Sequence, residues 1–356
     1  MSDLLARTAA LVDVASVSHA EAAMADLVEA ELRAVPWLTV DRVGCNVVAR
    51  TSLGRPLRLA LAGHLDTVPA NGNERAHVEG DTLWGLGSAD MKGGLAVFLE
   101  LARTVDAPAC DVTYVFYECE EVARAHNGLL RLFRERPDLL RADAAILGEP
   151  TDGSVEAGCQ GSLRIDITLA GERAHSARPW MGRNAIHRLG AVLSRVAAFE
   201  ERRPVLNGCE FREALQATAV SGGVAGNVVP DRAAVTLNHR FAPDRRGDEA
   251  LASVRALLGD TIDEAGGDTV ELVDLSPPAP PALDHPLLGA LVEATGRVPR
   301  AKLGWTDVAF FAEQGIPATN YGPGDPTIAH SKDERVDRAS LDAAHAALRT
   351  LLEAGA

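Results

Sequence analysis

Apolar residues recur at helical spacing in SDLLARTAALVDVA and EAAMADLVEAELRAV, so the chain opens with two predicted helices. From residue 57 the pattern changes to apolar runs that each end near an acidic or imidazole side chain. They are LRLALAGHLD at 57–66, a short GLGSAD at 85–90, DVTYVFYECEE at 111–121 and DAAILGEP at 143–150. Helical patterns at 92–105 and 125–135 lie between these predicted strands, and such alternation builds a mostly parallel sheet flanked by helices. After about residue 158 the strands alternate apolar and polar positions, as half-solvated strands do. These are SLRIDITLAG at 162–171, then ALQATAVSGG and RAAVTLNHRF, with amphipathic helices at 182–200 and 247–260. The Pro-rich SPPAPPALDHP at 276–286 reads as an exit linker, after which helix and strand signals resume from 287 and close in SLDAAHAALRTLLEA. The pattern predicts a discontinuous α/β domain, 1–160 and 281–356, carrying an inserted α+β domain at 161–280.

The 356 residues exceed a typical single core, in keeping with two domains. With 47% hydrophobic and 24% charged residues, no disordered class is needed. A formal net charge of −15 disfavours nucleic acid and acidic membranes as partners. The N-terminal MSDLLARTAALVDVASVS lacks both a signal-peptide pattern and an 18-residue uncharged run, so a cytoplasmic protein is expected. Cys45, Cys110, Cys119, Cys159 and Cys209 are scattered and form no CxxC pair, which argues for reduced structural cysteines.

Open α/β sheets deliver functional groups at the carboxyl ends of their strands. His64, Asp90, Glu120, Glu121 and Glu149 should therefore converge, and His330 in YGPGDPTIAHSKDE adds a second imidazole. Two imidazoles and four carboxylates are the ligand inventory of a two-metal hydrolase. Taken singly, each motif has a plainer explanation. His64 and Asp66 suit a turn or a helix cap, although a carboxylate two residues along a strand can also accept the second imidazole N–H. Asp90 suits a helix N-cap, although one carboxylate can also bridge two cations. Glu120 and Glu121 suit a solvated loop, although adjacent side chains diverge and can divide metal binding from proton transfer.

GHLDTVP at 63–69, GLGSADMKGG at 85–94, the Glu120–Glu121 pair, GEPT at 148–151, AHSARP at 174–179, SGGVAGNVVP at 221–230 and AHSKDE at 329–334 resemble, in order and spacing over nearly the whole chain, the zinc aminoacylase, carboxypeptidase and desuccinylase superfamily. The resemblance implies a catalytic domain with two divalent ions, most simply Zn2+ with Co2+ as an alternative at one position. It also implies a lid domain, 161–280, through which two copies dimerise. Carried over, Asp90 bridges, His64 and Glu149 complete one metal site, and Glu121 and His330 complete the other. Glu120 becomes the general base and Asp66 the partner of His64, with a cis peptide after Asp90. His175 matches a lid residue that reaches a catalytic site, of its own or of the neighbouring subunit, against the alternative of a turn histidine. Asn227 resembles a substrate-binding residue acting across the dimer, and Thr327 one beside the metal loop.

Within the superfamily, EAGCQGSLR at 156–164, HSARPWMGRNAIHRL at 175–189, LNHRF at 237–241 and GWTDVAFFAEQGIPATNYGPGD at 304–325 are most similar to the actinobacterial succinyl-diaminopimelate desuccinylases. Gln160 stands where other desuccinylases carry arginine, so carboxylate recognition falls to other residues. Arg240, at a strand end, suits a bidentate grip on a substrate carboxylate or an ordinary surface ion pair. The implied activity is metal-dependent amide hydrolysis of a small N-acyl amino acid. Rival readings are a deacylase of another N-acyl amino acid such as acetylornithine, a dipeptidase, and a noncatalytic binding protein on the same fold.

Overall fold

The computed structural model describes residues 3–356. Its main sheet has eight strands in the order Thr39–Val43, Asn46–Arg50, Asp111–Tyr117, Arg58–His64, Ala144–Leu147, Ala318–Asn320, Glu156–Ala157 and Arg300–Ala301. The central four run parallel, while a hairpin of the first two strands covers one edge in antiparallel pairing. All seven residues of Asp111–Tyr117 and all four of Ala144–Leu147 are buried, as expected for strands covered on both faces. Side-chain alternation divides the core. Leu59 and Leu61 pack with Phe98, Leu101 and Leu348 on one face, and Ala60 and Ala62 pack with Leu132, Phe310 and Phe311 on the other.

The predicted strand at 85–90 does not form. Gly85 and Gly87 take φ of 148° and 77°, and Ser88–Lys92 makes a wide helical turn leading into the helix Gly93–Thr104. The amides of Ala89 and Asp90 donate not to a neighbouring strand but to the carboxylate of Glu334, each at 3.0 Å. Glu334 is set there by a small sheet in which Arg335–Asp337 pairs with Thr82–Trp84. Asp90 therefore reaches the site from a helix entrance rather than a strand end. The Asp90–Met91 peptide is cis. Likewise the apolar run at 111–121 is strand only to Tyr117, and Glu118–Glu121 form a loop.

The chain between residues 161 and 276 makes a separate antiparallel sheet in the order Ala214–Gly222, Arg232–Phe241, Gly161–Ala170, Thr269–Ser276. Helices Ala185–Ala197 and Gly247–Leu258 bury Val192, Val254 and Leu258 against Ile165, Ile167 and Leu237 on one face. The two crossings back to the main sheet are paired, with Cys159 and Ala279 exchanging amide hydrogen bonds at 3.0 and 3.1 Å. No helix of the described residues is long and apolar enough to cross a membrane.

Close packing ties the helix after Asp90 to the loop of Glu149. A Cβ on Gly94 would lie 2.3 Å from the carbonyl oxygen of Gly148. Gly94→Ala should therefore cost about 1–3 kcal/mol by overpacking. A lower urea midpoint is the expected result, and an unchanged midpoint would show that helix and loop separate freely.

Candidate metal centre

His64 ends its strand, Glu120 and Glu121 follow the strand Asp111–Tyr117, and Glu149 follows Ala144–Leu147, so three neighbouring parallel strands open on one place. Asp90 lies between the two imidazoles. Its Oδ1 is 3.1 Å from His64 Nε2 and its Oδ2 is 3.3 Å from His330 Nε2, which is also 2.8 Å from Glu121 Oε1. Two three-residue groups, His64–Asp90–Glu149 and Asp90–Glu121–His330, each bring their ligand atoms within 4.8 Å of one another and share Asp90. The donor set of imidazole nitrogen and carboxylate oxygen suits Zn2+. Glu149 fits the same assignment, since its Oε1 is buried and has no hydrogen-bond partner.

The supports around these groups are as ordered as the groups themselves. His64 Nδ1 lies 3.0 Å from the Asp66 carbonyl oxygen and 3.5 Å from its carboxylate. Both acceptors favour the tautomer with Nδ1 protonated, which leaves Nε2 for a cation. The Asp66 carboxylate also accepts the amides of Glu120 and Glu121 at 2.9 and 3.1 Å and the hydroxyl of Ser18 at 2.7 Å. One aspartate thus sets both the histidine and the glutamate pair. The Glu120 side chain itself has no hydrogen-bond or ion-pair partner among the described residues, although it groups with His64 and Glu121 within 4.8 Å.

Crowding of carboxylates governs the electrostatics. Desolvation, followed by the charges of Asp307, Glu149 and Glu121, pushes Glu120 well above the usual carboxylate range. Burial and the charge of Asp90 raise Glu149 to about 8. Against its own burial, Asp90 is held below its ordinary value by the imidazoles of His330 and His64. Its carboxylate and that of Glu121 in turn lift His330 to about 10. Such a cluster gains from positive charge supplied between the oxygens.

Asp307 and Glu334 are the functional neighbours that the sequence reading missed. Asp307 is fully buried, accepts from Asn127 Nδ2 at 2.7 Å, and is raised to about 6 by burial. Its only sequence cue was a polar residue inside the apolar GWTDVAFF.

His175 and Asn227, in the unit of the separate antiparallel sheet, make no contact with the cluster through hydrogen bonds or ion pairs among the described residues. The two meet in one exposed turn, where the Ser176 amide donates to the Asn227 carbonyl at 2.9 Å. Arg240 is half-buried, its side chain has no ion-pair or hydrogen-bond partner among the described residues, which leaves its guanidinium available, and burial lowers its pKa. The Thr327 hydroxyl donates to Asp325 at 2.7 Å in an exposed turn. Gln160 is buried, and its side-chain amide donates to the Arg212 carbonyl at 2.8 Å, so it serves the crossing rather than a ligand.

Protons compete with cations for this cluster. Glu149, at about 8, and His330, at about 10, hold protons at pH 7 that a bound cation must release. Apparent Zn2+ affinity should therefore fall about tenfold or more per pH unit from pH 8 to pH 6. Competition with a chromophoric chelator would measure it, and a flat profile would contradict the assignment.

Known proteins share both the sequence and the fold. A protein of Mycobacterium tuberculosis, provisionally named a succinyl-diaminopimelate desuccinylase, is 54% identical over 98% of each chain. The succinyl-diaminopimelate desuccinylase of Corynebacterium glutamicum is 44% identical over 94% of this chain and 92% of its own. Among solved structures, a dinuclear metal-binding peptidase of the M20 family from Bacillus subtilis superposes with a TM-score of 0.71 at 18% identity, covering 98% of this chain and 96% of that one. The model of peptidase family M20/M25/M40 matches residues 60–354, and with four-fifths of its length inside that match the chain belongs to this family.

Proposed function

We propose that the protein is a two-metal amide hydrolase that removes succinate from N-succinyl-LL-2,6-diaminopimelate, yielding LL-2,6-diaminopimelate for lysine and cell-wall synthesis. The observation that carries the chemistry is the sharing of Asp90 between two ligand groups with the uncommitted carboxylate of Glu120 beside them. The choice of substrate rests on the 54% and 44% identical relatives named for this reaction.

His64, Asp90 and Glu149 would hold one Zn2+, and Asp90, Glu121 and His330 the other. When bound, the pair supplies a Lewis acid for the amide carbonyl and lowers the pKa of a water. Glu120 takes the proton of the attacking water and passes it to the leaving amine. Burial and the charges of Asp307, Glu149 and Glu121 raise its pKa, which strengthens it as a proton acceptor. Asp66 keeps Glu120 in register through the backbone amide. Arg240, with no internal carboxylate to neutralise it, binds a carboxylate of the substrate. The segment 161–280 acts as lid and dimerisation domain. The edge strand Ala214–Gly222 is exposed from Gln216 onward, a row of unpaired backbone groups suited to a second copy.

Zinc-loaded protein assayed with N-succinyl-LL-2,6-diaminopimelate, N-acetylornithine and a dipeptide should prefer the first by at least about a hundredfold in kcat/KM. Equal or better turnover of either alternative would overturn the substrate. For the mechanism and the dimer, Glu120→Gln should keep both ions and lose about 10² to 10⁴ in turnover. If His175 and Asn227 act across the dimer, mixing Glu120→Gln with an inactive His175→Ala chain rebuilds one complete site per mixed dimer. Up to about one quarter of wild-type activity should return after subunit exchange. No recovery after verified exchange would place His175 in its own subunit's site or outside catalysis.

A further inference from the structure

The loop that presents Glu120 and Glu121 also carries Glu118 and Cys119 into a second cluster. Ligand atoms of Glu21, Cys45 and Glu118 lie within 4.8 Å of one another. Cys119 Sγ is 3.3 Å from Glu21 Oε1 and 3.4 Å from His19 Nδ1. Three segments distant in sequence therefore place two thiols, an imidazole and one further carboxylate around Glu21. They border a cavity of about 440 Å3 together with His126 and Arg131. His19 and His126 meet edge to face with ring centroids 5.1 Å apart.

Hydrogen bonding accounts for part of this arrangement. Glu21 Oε1 accepts the amides of His19 and Cys119 at 2.9 and 3.2 Å as well as the Cys119 thiol. Glu118 accepts from Cys45 N and Asn46 Nδ2, both at 3.1 Å, and from Arg131 at 3.3 Å. What these bonds leave over is informative. Glu21 Oε2 takes no hydrogen bond among the described residues, the Cys45 thiol lies against the Glu118 carboxylate, and Arg131 offsets the charge of Glu118. His19 and Cys119 both hold left-handed backbone, at φ of 71° and 59°, as does the candidate ligand His330 at 62°. Non-glycine residues in that region gather at functional sites, where the surrounding structure imposes them.

We propose that this cluster is a third cation site, for a borderline-soft divalent ion such as Zn2+ or Co2+, held by Cys45, Glu21 and Glu118, with Cys119 and His19 beside Glu21. Thiolate, imidazole and carboxylate together select such ions over Mg2+ or Ca2+, which take oxygen ligands. Cys45 gives up the proton of the thiol that lies against Glu118, and the ion takes its place between them. Because Glu118 and Cys119 directly precede Glu120, a cation here ties the loop of the catalytic pair to the hairpin turn and to the start of the helix Ala22–Arg33. The exposed His19 leaves a path for entry.

The test is reconstitution of the full-length protein with Co2+ under reducing conditions, read by elemental analysis and absorption spectroscopy. Three equivalents should be retained, with a thiolate-to-cobalt charge-transfer band in the near ultraviolet. The double variant Cys45→Ser, Cys119→Ser should lose that band and one equivalent while keeping two. His19→Ala, at an exposed position that folding tolerates, should weaken the third equivalent about tenfold to a hundredfold. Glu121→Ala should lose an ion yet keep the band, which separates this site from the pair at Asp90. Saturation at two equivalents without the band would overturn the proposal, and so would a band that survives in the double variant.

Discussion

One carboxylate can serve two cations only if both of its oxygens are kept for them, and the geometry at Asp90 meets that requirement. Its oxygens face His64 on one side and His330 on the other. The backbone around it is anchored elsewhere. Glu334, placed by the strand Arg335–Asp337, takes the amides of Ala89 and Asp90, so the aspartate need not cap its own helix. Gly94 lets that helix approach the Glu149 loop at a distance that no Cβ would allow. Residues more than two hundred positions apart thereby fix the separation of two ligand groups.

A cost accompanies the arrangement. Six carboxylates, Asp66, Asp90, Glu120, Glu121, Glu149 and Asp307, lie around two imidazoles in surroundings that penalise charge. The same crowding that makes the protein alone retain protons favours the entry of positive charge, and it raises the pKa of Glu120. Fold and function are linked here through charge. The central parallel strands bring the acids together, and the imidazoles, bound protons or cations offset their repulsion.

The convergence of these side chains was readable from the sequence because strand ends in an α/β sheet collect at one edge, and apolar runs ending in His64, Glu120 and Glu149 announce such ends. Asp90 lies among these side chains but is carried by a different element from the one expected, since the glycines at 85 and 87 make a turn where the apolar pattern reads as a strand. The short hairpin Thr39–Val43 with Asn46–Arg50 and the edge strand Thr269–Ser276 left too weak a period to be read. Asp307 and Glu334 act through contacts made only by the tertiary fold, and no local spacing encodes them. Cys45 and Cys119 share no motif in the chain, yet the fold sets both against Glu21.

The most direct test of a shared Asp90 is anomalous X-ray diffraction at the zinc edge from crystals grown with Zn2+. Two peaks about 3.5–4 Å apart, with one Asp90 oxygen on each, are the expected result. A single peak between His64 and His330, or two peaks with Asp90 bound to neither or only one, would contradict the account.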